Sequence, residues 1–280
     1  MDDGLRMVEA RACGAWSLPG DATCAGLARR TFRRVAAALG LDPEVTDDGV
    51  TMVSELAANT LHAQREQCQQ PPLHRQRATT TELWLYLRGA GPRRELVCKV
   101  FDAFRGWVRG NVPVRGPHRA APDATSGRGL EVVHELSQGR WGYHPSRARL
   151  AGWGVGGKAV WFSVPAVTAP VRPAWMPASA AMTEFEEGLS ARGFDGQMVR
   201  ADDSTADMAV LAVRGGLTVW CWGGTAWLHA PGFISDQWGY CDLVEVGELA
   251  VEAYESLTAG SELAQLTGAG ATLPCALPPC

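Results

Sequence analysis

The chain has 280 residues, of which 46% are hydrophobic and 20% are charged, and its formal net charge is −4. This length predicts one large domain or two of ordinary size, with enough apolar residues to form a real core. The small net charge argues against nonspecific nucleic-acid binding, although it leaves room for a local basic patch, and we expect no direct nucleic-acid partner.

Cysteine spacing and hydropathy indicate a reduced protein that does not enter a membrane. The eight cysteines are scattered, and none forms a CxxC pair or a zinc-type spacing with histidine. The first residues lack the basic region and apolar run of a signal peptide. No segment approaches the ~20 apolar residues of a membrane span. We therefore expect a cytoplasmic protein with free thiols.

The first third of the chain predicts a strand followed by two helices. Residues 10–18 favour a short strand, and Asp21 or Thr23 is placed to cap a helix that Gly40 ends. Pro43 is typical of the first turn of a second helix.

That second helix has two distinct faces between residues 50 and 63. Glu55, Asn59 and His62 are spaced i, i+4 and i+7, so they share one side. A carboxylate, an amide and an imidazole there could hold a hydrated Mg²⁺ ion and a reacting water. The alternative is an amphipathic surface helix whose polar side meets solvent. The opposite, core-facing stripe comprises Val53, Leu56, Ala57, Thr60 and Leu61.

A β-hairpin and a long irregular segment follow. Residues 82–88 and 95–101 predict two strands joined by a turn at 89–94, and the second strand leads directly into Asp102. Residues 106–126 are rich in Gly, Pro and Arg, and so long a loop is usually functional or disordered.

A glycine-flanked turn at residues 126–130 precedes the next helix. Unpaired backbone N–H groups at a helix start suit a phosphate, and Gly127 and Gly129 would let the backbone approach it closely. The alternative is an ordinary helix-entry turn. A last strand is predicted at residues 157–164, and the interleaved strands and helices indicate a mixed-sheet α/β layer.

Composition divides the chain into four parts. We predict a first domain at residues 1–165, a proline-rich linker at 166–178, a small α+β domain at 179–262 and a flexible tail at 263–280.

The small domain combines two helices with a β-meander. Residues 182–192 and 245–257 favour helices, and residues 208–214, 217–222 and 225–229 predict three antiparallel strands. Its tryptophans are Trp220, Trp222, Trp227 and Trp238, and alternation places the first two on one face. They could form a tryptophan-based core or an aromatic surface for a partner or ligand.

Four segments of the first domain stand in a recognisable order: residues 55–63, 100–102, 127–130 and 157–161. Together they resemble the ATP-binding domain of the GHKL superfamily, the Bergerat fold, and are most similar to bacterial anti-sigma regulatory factors of the serine/threonine kinase type. The resemblance implies an α/β fold, namely an α+β two-layer sandwich with a mixed β-sheet covered by helices. A small separate α+β domain would follow it.

The resemblance assigns roles to individual residues. Glu55 matches the glutamate that orients or deprotonates the attacking nucleophile, and Asn59 matches the asparagine that ligates Mg²⁺. Asp102 matches the aspartate that accepts a hydrogen bond from the adenine amino group. Gly127 and Gly129 match glycines beside the triphosphate.

Further assignments concern the loop and the last strand. Residues 106–126 would be the ATP lid, and Gly106 would supply the turn after the aspartate. Gly106 and Leu130 are also expected among the nucleotide-binding residues. Arg128 could touch phosphate or be only solvated. Ala159 stands where the family often has threonine, which would remove one adenine-side hydrogen bond. Lys99 and Lys158 are the only lysines of the chain, and we expect Lys158 to be a solvated strand-end residue rather than a phosphate ligand.

Two functions follow from the resemblance. In the first, the protein binds ATP and Mg²⁺ and transfers the γ-phosphate to Ser or Thr of an anti-anti-sigma-type partner, while also sequestering a sigma factor. In the second, it is a catalytically inactive, nucleotide-gated protein-binding module in bacterial transcription regulation. The related kinases dimerise, so a homodimer is also expected. A degenerate scaffold without nucleotide is the third alternative.

Overall fold

The computed structural model describes residues 3–68, 80–103, 129–151, 154–167, 176–232 and 236–267. Their first half contains four helices and a five-stranded sheet. Across these ranges, no helix has both the length and the apolar composition that a membrane crossing requires. The elements of the first half are α1 (Asp3–Glu9), β1 (Gly14–Leu18), α2 (Cys24–Ala38), α3 (Pro43–Cys68), β2 (Thr81–Arg88), β3 (Glu95–Asp102), α4 (Gly129–Leu136), β4 (Trp141–Arg147) and β5 (Gly156–Pro165).

The first sheet has the strand order β1-β2-β3-β5-β4, and every described pair of neighbours is antiparallel. The α+β sandwich is therefore confirmed, but the expected mixture of parallel and antiparallel pairs is not found. The reason is the position of β5. Strands β3 and β4 run in the same direction, as a helical crossover through α4 favours, yet β5 lies between them and pairs antiparallel with both.

Both faces of this sheet are buried, which explains the nearly continuous apolar run of β2. Leu83 and Leu85 belong to a core that lies beneath α2, α3 and α4. The alternate residues Glu82, Trp84 and Tyr86 point to the opposite face because successive strand residues alternate, and they are buried as well. The second half of the chain covers that opposite face.

The second half forms another five-stranded antiparallel sheet, in the order β10-β9-β8-β7-β6. The meander is confirmed and extended by two outer strands that the polar, turn-rich sequence did not predict. The last helix also continues to Thr267, into the segment expected to be a tail. The elements are α5 (Ala178–Ser190), β6 (Met198–Asp203), β7 (Met208–Val213), β8 (Leu217–Trp222), β9 (Thr225–His229), β10 (Asp236–Gly239) and α6 (Leu243–Thr267).

Helix α6 joins the two halves through polar contacts. Arg88 Nη1 donates to Glu245 Oε1 at 3.0 Å, and the Tyr86 hydroxyl also hydrogen-bonds to Glu245. One turn further along α6, the Lys99 ammonium lies 3.1 Å from Glu248 Oε2. The small domain expected to be separate therefore shares a charged interface with the first sheet.

The second sheet carries its tryptophans mainly on the face away from α5 and α6. Its core consists of the alternate residues, such as Val219 and Leu228. Trp222 is 57% exposed and stacks on Trp227, with ring centroids 6.2 Å apart. Trp238 alone of the four packs partly against the core. The tryptophan-core interpretation is therefore wrong for the stacked pair, which forms an aromatic surface.

Candidate functional site

Helix α3 presents its predicted apolar stripe to the core. Val53, Leu56, Ala57 and Thr60 are buried, and the Thr60 hydroxyl donates to the Ala57 carbonyl oxygen at 2.8 Å. That local hydrogen bond lets a polar residue lie within the stripe without an unpaired hydroxyl. The packing of this face fixes the rotation of α3 and therefore the direction of its polar side.

The polar side of α3 lies against the start of α4. Glu55 is half-buried, whereas Asn59 and His62 are exposed. A Cβ atom built on Gly129 would lie 2.7 Å from Glu55 Oε2 and 3.5 Å from Asn59 Oδ1. A side chain at position 129 would therefore displace the Glu55 carboxylate, which lies at the end of a flexible side chain, whereas glycine leaves that carboxylate in place. Of the predicted site residues, the structure brings Glu55, Asn59 and Gly129 together.

The start of α4 offers a favourable place for an anion. The first N–H groups of a helix lack intrahelical partners, and the helix dipole places partial positive charge there. The Leu130 side chain packs against the core beneath the sheet, so its contribution to a ligand would come from its backbone. Gly106, Gly127, Arg128 and the expected lid at residues 106–126 lie outside the described residues.

The donor set near Asn59 fits Mg²⁺ in its chemistry. An amide oxygen next to a carboxylate offers hard oxygen ligands, and Mg²⁺ usually completes its shell with waters and substrate phosphates. Among the described residues, no group of three or more His, Cys, Asp or Glu side chains could hold a metal by itself.

Asp102 ends β3 inside the molecule, directly opposite Lys158 on β5. The two residues are 3% and 8% exposed, and Lys158 Nζ donates to Asp102 Oδ1 at 2.9 Å. The expectation of a solvated Lys158 is therefore wrong. The strand-end position was correctly predicted, but sequence alone did not show that the neighbouring strand places a carboxylate beside it.

A close backbone approach keeps this ion pair in register. A Cβ atom on Gly157 would lie 2.1 Å from the Asp102 carbonyl oxygen and 2.8 Å from the Cα atom of Ala103. Only glycine allows such an approach. Ala159 lies on the opposite face, in a small cluster with Trp84 and Phe101. A hydroxyl at position 159 would therefore not point to the face that carries Asp102.

The other lysine of the chain is also buried and paired, on the opposite face of the sheet. Lys99 Nζ lies 3.0 Å from His144 Nε2 and 3.1 Å from Glu248. Burial lowers the pKa of Lys99 to about 8. Burial and the adjacent Lys99 charge lower the pKa of His144 to about 3, so the imidazole is neutral. This cluster was not predicted from the sequence, although Lys99 in the middle of an apolar strand was a signal for it.

Comparison with known proteins agrees with the first half of this description. Residues 18–141 match the family model of the histidine kinase-like ATPase domain. The matched segment contains Glu55, Asn59, Asp102 and Gly129 and ends before β5, and it covers less than half of the chain. No curated protein matches the sequence. The fold and this match support a GHKL-type ATPase domain in the first half of the chain, and with it the binding of ATP.

Proposed function

We propose that this protein binds Mg-ATP between α3 and α4 and transfers the γ-phosphate to a serine or threonine hydroxyl of an anti-anti-sigma-type partner. The observation that carries this proposal is the closeness of the α4 start to Glu55 and Asn59, where a Cβ atom on Gly129 would lie 2.7 Å from Glu55 Oε2. The helix start, a hard oxygen donor and a carboxylate thus lie together, as phosphoryl transfer requires.

Each group would have a separate task. The N–H groups at the start of α4 would hold phosphate oxygens, and Asn59 would hold the Mg²⁺ ion, which supplies charge neutralisation when bound. Glu55 would accept the proton of the attacking hydroxyl. The hydroxyl oxygen then forms a bond to the γ-phosphorus, the bond between this phosphorus and the β–γ bridging oxygen breaks, and ADP leaves.

The adenine would be recognised at Asp102, on the same face of the sheet. Its amino group would meet a carboxylate that already accepts a hydrogen bond from Lys158. Because a carboxylate has two acceptor oxygens, Asp102 could accept from the adenine amino group while it remains paired with Lys158. The second candidate function is a nucleotide-gated binding module without phosphoryl transfer. It is favoured by the second half of the chain, which packs on the opposite face of the same sheet through Glu245 and Glu248.

Calorimetric titration of the full chain with ATP, with and without Mg²⁺, tests the common part of both functions. Asn59→Ala should abolish the Mg²⁺-dependent part of the affinity. Thr51→Ala is the matched control because Thr51 is an exposed residue on the same helix. The absence of ATP binding to the folded wild-type protein would contradict both functions.

Phosphate transfer separates the two candidates. Purified anti-anti-sigma-type proteins of the same organism would be incubated one by one with the protein and ATP labelled at the γ-phosphate. Glu55→Gln should still bind Mg-ATP but transfer no label, and full transfer by this variant would remove Glu55 from its proposed role. A wild-type protein that binds Mg-ATP and labels none of these proteins would support the binding module.

A further inference from the structure

The two sheets of the molecule have four faces, and helices cover three of them. Helices α2, α3 and α4 pack on one face of the first sheet, and α6 packs on the other. Helices α5 and α6 cover the inner face of the second sheet. The fourth face is the outer face of the second sheet, which carries the stacked indoles of Trp222 and Trp227.

Strand alternation defines the side chains of this outer face. Across its central row, Val210 lies opposite Trp220, and Trp220 lies opposite Trp227. The remaining apolar positions belong to β6, β7 and β8. Together, the apolar residues of this surface, which we call the tryptophan face, are Val199, Ala201, Met208, Val210, Ala212, Trp220, Trp222 and Trp227.

The tryptophan face is exposed although it is apolar. Val199 is 74% exposed, Trp222 is 57% exposed and Met208 is 38% exposed, while Val210 and Trp220 are half-buried. An antiparallel sheet with one solvated face normally alternates apolar and polar residues, with the polar ones outside. Strands β7 and β8 are instead largely apolar on both sides, which indicates that their outer side meets a partner.

Opposite charges stand at the two ends of the tryptophan face. Asp203 ends β6 at one end, and Arg214 directly follows β7 at the other end, where its backbone N–H donates to Gln197. Interfaces typically combine an apolar centre with a polar rim. A two-fold axis that lies in the plane of contact and crosses the strands brings the Asp203 end of one copy to the Arg214 end of the other. Opposite charges then meet twice, so the face is complementary to itself.

The size of the tryptophan face is sufficient for a stable dimer. Five strands spaced about 4.8 Å apart and about five residues long span roughly 20 Å by 17 Å, and side chains extend this outline by about 3 Å on every side. The face therefore covers roughly 600 Å², and its burial in two copies removes roughly 1,200 Å² of surface, which is the lower limit of a standard specific interface. A largely apolar patch of this size usually marks an interaction site.

We infer that the tryptophan face forms a homodimer by packing against the same face of a second copy of this chain. The two outer sheets stack about 10 Å apart, as the sheets of a β-sandwich do. The candidate nucleotide site lies on the far side of the first sheet, between α3 and α4, so both sites of the dimer remain accessible. The contact uses no residue of that site. The dimer therefore forms without nucleotide, and the inference does not depend on the proposed function.

Sedimentation velocity of the full chain, without nucleotide and at concentrations up to about 100 μM, tests the inference. We expect a species with the mass of two chains. Val199→Glu and Trp222→Glu each place a charge in the apolar contact, and each should weaken the association roughly thirtyfold or more. Because both side chains are exposed in the single chain, we expect the far-UV circular dichroism of these variants to equal that of the wild type.

Val167→Glu is the matched control. Val167 is 57% exposed and follows β5, outside the second sheet, so this variant should dimerise as the wild type does. A wild-type protein that stays monomeric at the highest concentration would overturn the inference. Dimerisation of Val199→Glu with the affinity of the wild type would also overturn it, because the interface would then lie on another surface.

Cysteine labelling identifies what covers the face. Val199→Cys places a thiol on the tryptophan face, and Val167→Cys places one outside it. Alkylation by N-ethylmaleimide, read by peptide mass spectrometry, should slow at position 199 as the protein concentration rises and stay constant at position 167. Slow alkylation of position 199 at every concentration would mean that another segment of the same chain covers the face. Fast alkylation at every concentration would mean that the face stays open, and either result would overturn the inference.

Discussion

The ion pair between Asp102 and Lys158 allows a quantitative test of how the nucleotide face is held together. Lys158→Met keeps the length of the side chain but leaves the Asp102 carboxylate without its ammonium partner, at a position that is 3% exposed. Breaking a buried pair in this way costs about 3–5 kcal/mol. That is a large fraction of the roughly 5–15 kcal/mol that stabilises a folded protein.

The assay is urea unfolding followed by tryptophan fluorescence. If m is about 3 kcal/mol/M, at the upper end for urea, the loss lowers the midpoint by about 1–2 M. The double variant Asp102→Asn/Lys158→Met should recover most of this loss, because replacing both partners of a buried pair is often nearly neutral. A midpoint shift below roughly 0.3 M for the single variant, or a double variant no more stable than the single one, would show that this ion pair does not stabilise the fold.

Three further predictions concern other parts of the molecule. Gly129→Ala should weaken ATP binding in calorimetry, because the new Cβ atom would lie 2.7 Å from Glu55 Oε2 and displace that carboxylate. It should not lower the melting temperature, because alanine favours the helix more than glycine does. Unchanged affinity for ATP would argue against a nucleotide at this position. Lowering the pH from 7 to 5 should reduce the free energy of unfolding. Below the ordinary histidine pKa of about 6.5 the loss should approach about 1.4 kcal/mol per pH unit, because His144, with a pKa of about 3 in the folded protein, takes up its proton only on unfolding. His144→Gln should flatten that slope in urea titrations, and an equal slope would assign the effect to other groups. Tyr86→Phe should cost about 1.5–3 kcal/mol through the lost hydrogen bond to Glu245, measured by thermal unfolding, and a neutral outcome would indicate that water replaces the hydroxyl.

Local patterns predicted much of the first half correctly. The apolar stripe of α3 and the hairpin of β2 and β3 depend on spacings within a few residues, so periodicity was sufficient to identify them. The hairpin was placed to within one residue at its outer ends, at Thr81 and Asp102. The proximity of Gly129 to Glu55 is different in kind, because no local rule relates residues so far apart, and only the family resemblance suggested it.

The parts that were missed depend on contacts between distant segments. Glu245 and Glu248 have the spacing of an ordinary solvated helix face. The half-burial of Glu245 and the burial of Glu248 follow only from the docking of α6 on the sheet. Lys158 and Lys99 likewise resemble surface residues in isolation. The burial of each lysine is explained by the carboxylate opposite it, Asp102 or Glu248. Without the positions of these carboxylates, the sequence favours an exposed lysine.

The stacked indoles of Trp222 and Trp227 also give the second sheet an optical signature. Two such chromophores with centroids 6.2 Å apart and ring planes inclined at 28° couple their electronic transitions. Their coupling should produce a pair of circular-dichroism bands of opposite sign, which disappears when β8 and β9 separate. The unfolding of the second half could thus be followed separately from that of the first sheet, without attaching any label.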